Sequence, residues 1–171
     1  EGSLLGKILG FTTRIINPEK LISQVSGKES LFENSHFDER TRLILSKSKI
    51  PVGILIDKGL TKVEKVFIPI FVETDFRLLH YAQKLINNID SQVVFYDATG
   101  QIKNNLQFRE SIRSIEQIAP NHISLLGNLT NENEFLNQQD LMLLSFESWK
   151  LMIESKNNWL QGIPSTLIIR E

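Results

Sequence analysis

The stretch IPVGILIDKGLTKVEKVFIPIFVETDFRLLHYAQKLI, residues 50–86, limits the possible folds more than any other part of the chain. Its first apolar run, 52–56, is too short for a stable helix and rich in β-branched residues, so it predicts a buried strand. A second run, 66–72, is followed at once by Thr74 and Asp75 and then by an amphipathic segment reaching Asn88. That order predicts a strand feeding a helix through a short capped turn. The helix, 75–88, should turn Phe76, Leu79, Ala82 and Ile86 inward.

The same alternation continues downstream. A strand is expected at 92–98, closed by Thr99 and Gly100, and a helix at 105–118 with Phe108, Ile112, Ile115 and Ala119 on one face. Pro120 ends that helix, and a strand at 122–126 follows. A short helix at 131–139 has Asn131 as its candidate cap, with Glu134 three residues on. A continuous apolar strand at 141–146, a helix at 148–155, a break at Gly162 and Pro164, and a last strand at 165–170 complete the chain. Strands alternating with helices imply right-handed βαβ crossovers, hence an α/β fold with a doubly wound, mainly parallel sheet covered on both faces. Pro69 dissents, because a proline inside a central strand removes a ladder donor. It is expected at a local irregularity or near the strand's carboxyl end.

Upstream, residues 3–16 place Leu4, Leu5, Ile8, Leu9, Ile15 and Ile16 close to helical spacing. Gly6 and Gly10 weaken that helix by up to about 1 kcal/mol each. Packing against the domain is the expected use, and a membrane-surface helix the alternative. Asn17 and Pro18 start a short helix reaching about Val25, and residues 27–36 read as an exposed loop. Asp38 and Glu39 open, and Lys47 and Lys49 close, a further helix whose charges suit its dipole. Pro51 stops it.

Composition narrows the function classes. The 171 residues suit one α/β domain with an N-terminal extension. The net charge of −1 supplies no basic field for a phosphate backbone, which argues against nucleic acid as a partner. With no cysteine, disulfides, thiolate metal sites and cysteine nucleophiles are excluded. The three histidines, His36, His80 and His122, have neither metal-ligand nor triad spacing, and no nucleophile elbow or phosphate loop is present. No enzyme activity, metal or cofactor is expected. No apolar run approaches the roughly eighteen residues needed to cross a bilayer. The chain opens at Glu1 and reads as a piece of a longer protein.

The phrase PVGILIDKGL, then KVFIPIF, an acidic turn and the helix FRLLHYAQKL, resembles the cytosolic C-terminal region of bacterial and plant cation/proton antiporters of sodium/hydrogen-exchanger type. In that region a pair of universal-stress-protein-like α/β repeats follows a membrane domain. The resemblance covers residues 50–171 and implies several things. Residues 1–60 would be the tail of a preceding repeat, and 61–171 a complete one. The five strands after Lys65 would lie in the order 3-2-1-4-5, with an extra antiparallel edge strand, 52–56, beside 166–169. The partners would be the membrane-embedded transporter domain of the same polypeptide and a second copy in a homodimer, on the cytoplasmic side of the cell membrane. The function implied is regulatory and non-catalytic. The alternative is a small-molecule module that binds a nucleotide.

In a doubly wound sheet, ligands bind outside the carboxyl ends of the strands where strand order reverses. Here that point lies between the strands ending at Val72 and Phe146. The polar groups expected there are Glu73, Thr74, Asp75, Asp97, Ser145, Glu147 and Ser148. Set against this, Thr74 and Asp75 can simply cap a helix while the others are solvated loop residues. Nucleotide-binding universal stress proteins carry a glycine pattern, Gly, two residues, Gly, nine residues, Gly and Ser/Thr, after the fourth strand. The corresponding segment here, 147–164, holds only Gly162 and two tryptophans, Trp149 and Trp159. The tryptophans are candidates for interface anchors or for core packing.

Overall fold

A computed structural model describes residues 2–16, 37–155 and 157–171. The expected helix at 17–25, the loop at 27–36 and His36 lie outside the described residues.

The chain builds α1 (Gly2–Leu9), β1 (Thr12–Ile16), α2 (Glu39–Lys47), β2 (Val52–Ile56), β3 (Lys65–Ile70), a 3-10 turn (Glu73–Arg77) and α3 (Leu78–Ile89). It continues with β4 (Gln92–Asp97), α4 (Gln101–Asn104), α5 (Leu106–Ile118), β5 (Ile123–Leu126), α6 (Glu132–Asn137) and β6 (Leu141–Ser145). Last come α7 (Phe146–Glu154), a second 3-10 turn (Asn158–Gln161) and β7 (Ser165–Arg170). The seven described strands form one sheet in the order β1-β2-β7-β6-β3-β4-β5. Every neighbouring pair is parallel except β2 and β7, which run antiparallel with Ile56 opposite Thr166 and Val52 opposite Arg170. The five later strands therefore take the order 3-2-1-4-5, and the 52–56 strand lies beside the last of them, both as expected.

Side chains alternate between two apolar layers, as the two-residue period of a strand requires. Val66, Ile68 and Ile70 of β3 point into one layer with Leu141 and Leu143 of β6, and with Leu5, Leu9, Leu85 and Phe108 of the helices. Phe67, Met142, Leu144 and Ile168 point into the other, with Leu45, Leu136 and Trp149. Helix α5 begins where Asn105 accepts the Phe108 N–H at 2.8 Å, and buries Phe108, Ile112 and Ile115 as its spacing predicts. Helix α2 is capped by Asp38, which accepts the Thr41 N–H at 2.7 Å and takes a 2.8 Å ion pair from Arg14. The Thr41 side chain, then its N–H and Arg14, hold the Asp38 carboxyl well below the usual carboxylate range.

Three expectations are corrected. First, the helix expected over 3–16 ends at Leu9, and residues 12–16 form β1. Gly10 takes a φ of +87°, and its N–H and that of Phe11 both close on the Gly6 carbonyl. The β-branched run Thr12, Thr13, Ile15, Ile16 then pairs along the whole of β2, so tertiary pairing overrides the helical spacing. Strand β2 is consequently covered on its outer side, and the outermost position passes to β1. Helix α1 packs on the domain through Leu5 and Leu9, with the Lys84 ammonium donating to its last carbonyl, Leu9, at 2.9 Å. Second, the turn after β3 is a 3-10 segment, so the α-helix starts at Leu78 and its buried face is Leu78, Tyr81, Ala82, Leu85 and Ile86; Phe76 and Leu79 are only partly buried. Third, Asn131 makes no side-chain cap to α6, because its backbone is left-handed at φ 52°.

Candidate functional site

Strand order reverses between β3 and β6, and there the sheet opens. The two strands pair only at Val66–Leu141 and Phe67–Met142, near their amino ends. Pro69 lies just beyond that pairing. The Glu64 and Ile70 carbonyls accept from Gln92 and Ala98 on the β4 side, whereas the Lys65 carbonyl accepts from Asp140 on the β6 side. By the same alternation the Pro69 nitrogen faces β6, where the ladder has already ended. The proline therefore costs no ladder bond.

The opening is filled by the chain itself. Asp75 has no exposed surface. Its Oδ2 accepts the Phe71 N–H at 2.8 Å, the Val72 N–H at 3.0 Å and the Ser148 hydroxyl at 2.6 Å. Its Oδ1 accepts the Ser145 hydroxyl, and Ser145 Oγ in turn accepts the Ser148 N–H at 3.1 Å, capping α7. One carboxylate thus ties the end of β3 to the start of α7. Buried carboxylates need this density of donors to offset lost hydration.

The remaining expected site residues separate. Thr74 and Glu147 are exposed and share with Ser145 a pocket of only about 50 Å³, room for a water or two. Tyr81 lines that pocket and donates to Glu171 at 2.8 Å; burial, then the Glu171 carboxylate, raise the phenol's pKa. Glu73 is exposed on the 3-10 turn. Asp97 accepts the Ile102 and Lys103 N–H groups at 3.0 and 3.3 Å, so it caps α4. The structure therefore brings Asp75, Ser145 and Ser148 together as a structural lock, and places Asp97 apart from them.

A larger space opens on the other side of β3. A cleft of about 400 Å³ lies at the carboxyl ends of β3 and β4, with Phe71, Tyr96 and Trp159 at its floor and Glu132, Asn157 and Asn158 among its rim residues. The Trp159 ring lies 5.8 Å from both Phe71 and Tyr96 and 5.7 Å from Phe67, centroid to centroid. Asn157 Oδ1 accepts the Trp159 N–H at 2.9 Å and fixes the turn that carries the indole. Trp159 was visible in the sequence, but its neighbours come from four separate segments. Both tryptophans are core residues, 1% and 4% exposed at Trp149 and Trp159.

The two described histidines lie apart. His80 is exposed on α3 beside Tyr81. His122 faces acceptors at both ring nitrogens, the Asp90 carboxylate at 2.6 Å from Nε2 and the Ala119 and Pro120 carbonyls at 3.1 and 2.9 Å from Nδ1. Both nitrogens can donate only in the imidazolium form. The Asp90 carboxylate and the Pro120 carbonyl accordingly raise its pKa. Among the described residues no group of acidic and histidine side chains could hold a metal ion, and no helix is long and apolar enough to cross a membrane.

Compared with known proteins, the sequence matches no family model and no curated protein. Among solved structures, the fold is similar to that of a universal stress protein from Archaeoglobus fulgidus DSM 4304, with a TM-score of 0.51 and 12% identity. The likeness covers 97% of this chain and 63% of the other, so this chain spans less than two thirds of that protein's length. At that identity the likeness shows a shared fold alone: an α/β arrangement whose described strands form a mostly parallel seven-stranded sheet with one antiparallel pair.

Proposed function

We propose that this chain is a small-molecule-binding module of universal-stress-protein type, taking a nucleotide-like ligand at the carboxyl edge of its sheet. The observation that carries the reading is the 400 Å³ cleft beside Trp159. It lies next to the strand-order reversal, where doubly wound sheets hold ligands. The reversal point itself is occupied by Asp75, which displaces the site toward β4.

Residues 1–60 fit the closing half of a preceding repeat. Among the described residues, β1 and β2 are parallel neighbours with α2 before β2, as β6 and β7 are with α7 between them, and the two pairs meet at the antiparallel β2/β7 seam. On that footing, and with the stretch 51–60, a second reading makes the module a regulatory and dimerising domain of a cation/proton antiporter. A ligand would then bias the transporter by binding one conformation more tightly. The full reading frame and the mass of the purified chain in solution test this context.

The ligand itself is tested by thermal shift against ATP, AMP, adenosine, NAD and cyclic dinucleotides, since a ligand held only by the folded state raises Tm. Asn158 is exposed at the rim, so Asn158→Trp should fill the cleft and abolish the shift while leaving the unliganded Tm unchanged. No shift with any compound at saturating concentration would falsify the binding reading.

A further inference from the structure

We propose that the outer edge of β5 is a self-association surface, where a second copy of this chain pairs antiparallel about a twofold axis at Leu125. The proposal is independent of any ligand.

Strand β5 closes one side of the sheet, and among the described residues it pairs only with β4. Ser124 and Leu125 are both exposed, Leu125 by 45%, so this edge is open to solvent. Edge strands are ordinarily kept apart by a charge, a proline or a bulge. The β5 sequence, ISLL, has neither charge nor proline.

The backbone pattern sets the register. The His122 carbonyl accepts from Val93 of β4. By the alternation of a parallel ladder, Ser124 then turns its N–H and carbonyl toward β4, while Ile123 and Leu125 turn theirs outward. The Ile123 N–H is already taken, by the Glu116 carboxylate at 2.7 Å. An antiparallel pair forms where two residues exchange both bonds, and on this edge Leu125 has both groups to offer. A twofold axis therefore sets Leu125 opposite Leu125, and the exposed parts of the two side chains cover each other. In that register the Ile123 carbonyl of each copy faces the N–H of Gly127 in the other, a residue that is exposed with open space around it. An axis at Ser124 would instead set Leu125 opposite Ile123, whose N–H Glu116 holds.

Charge favours the same axis. Leu125 lies two residues beyond Ile123, about 6.6 Å along the strand. Helix α5 runs back the other way at about 1.5 Å per residue, so the axis passes level with about Ile112. Rotation about it brings Glu116 of one copy level with Arg109 of the second copy. Arg109 is exposed and sits two turns before Glu116 on the same side of α5. Opposite charges thus meet on both sides of the axis, which is what suits this edge to a second copy rather than to an unrelated strand.

So short an edge makes a weak, transient interface, and the dimer population should rise with concentration. Sedimentation equilibrium of the chain from roughly 10 µM to 1 mM tests this, with amide exchange by NMR as the local readout. The expected result is a monomer–dimer equilibrium in which the Leu125 amide exchanges more slowly as the dimer fills. Leu125→Lys should raise the dissociation constant at least roughly tenfold, and Arg109→Glu should raise it several-fold, with Tm unchanged in dilute solution because both positions are exposed. Ile15→Lys, at a 52% exposed position on β1 at the opposite edge, should leave it unchanged. A monomer at every concentration overturns the proposal. So does a dimer that Leu125→Lys leaves intact, or one that Ile15→Lys weakens equally; a dimer held elsewhere leaves the dimerising reading above standing.

Discussion

Replacing Asp75 tests whether one carboxylate holds the sheet's reversal point shut. It accepts from two backbone amides, Phe71 and Val72, and from two hydroxyls, Ser145 and Ser148. In Asp75→Ala the hydroxyls can rotate toward other acceptors, but the amides are fixed at the end of β3. A buried donor left without an acceptor costs about 1–3 kcal/mol, so two fixed amides put the loss at about 4 kcal/mol. Asp75→Asn keeps an oxygen for the amides but turns an NH2 toward a serine hydroxyl. It also removes the charge that roughly doubles such bonds, so the loss should be about 2 kcal/mol. Urea unfolding at pH 7, followed by circular dichroism and tryptophan fluorescence, reads both values by linear extrapolation. An alanine variant within about 1 kcal/mol of the parent, or asparagine as costly as alanine, would refute the reasoning.

Gly53 on β2 lies against the Phe11 ring, and a Cβ there would collide with that ring and meet Leu167 Cδ1 at 3.0 Å. Gly53→Ala should therefore destabilise by about 1–3 kcal/mol, although alanine ordinarily favours a strand over glycine; a lower urea midpoint checks the sign. The His122 imidazolium gains Asp90 and the Ala119 and Pro120 carbonyls on folding, which raises its pKa above 6.5. A raised pKa means the stabilisation is complete below pH 6.5 and is lost as pH rises through the folded-state value. NMR titration should find His122 above the free value, and His122→Phe should flatten the stability profile over that window, with Glu116, which accepts the His122 and Ile123 N–H groups, held constant. A His122 titrating at or below 6.5 would contradict the pairing.

Much of the fold was legible because its signals are local. The bounds of β2 and β7 and the inward face of α5 all follow from runs, breaks and spacing within a few residues. The antiparallel β2/β7 seam followed from the family resemblance, and is observed with Ile56 opposite Thr166. Strand β1 was missed because Leu4, Leu5, Ile8 and Leu9 set a helical rhythm that Ile15 and Ile16 happened to continue. What ends the helix is the Gly10 backbone, and what makes a strand of 12–16 is pairing with residues forty positions away. At the expected crevice the sequence placed Asp75, Ser145 and Ser148 near one another but not in contact; their mutual hydrogen bonds close that point, and the open cleft lies elsewhere.

The sequence by itself determined that this chain alternates strands with helices and buries a sheet on both faces, because period and punctuation are properties of neighbouring residues. Only the tertiary structure decided which polar groups satisfy one another. Whether Asp75 faces a ligand or closes on Ser145 and Ser148 depends on how the ends of β3 and β6 approach across seventy residues of chain. Likewise a cleft exists only once Phe71, Tyr96, Glu132 and Trp159 are carried to one edge from four separate stretches of chain.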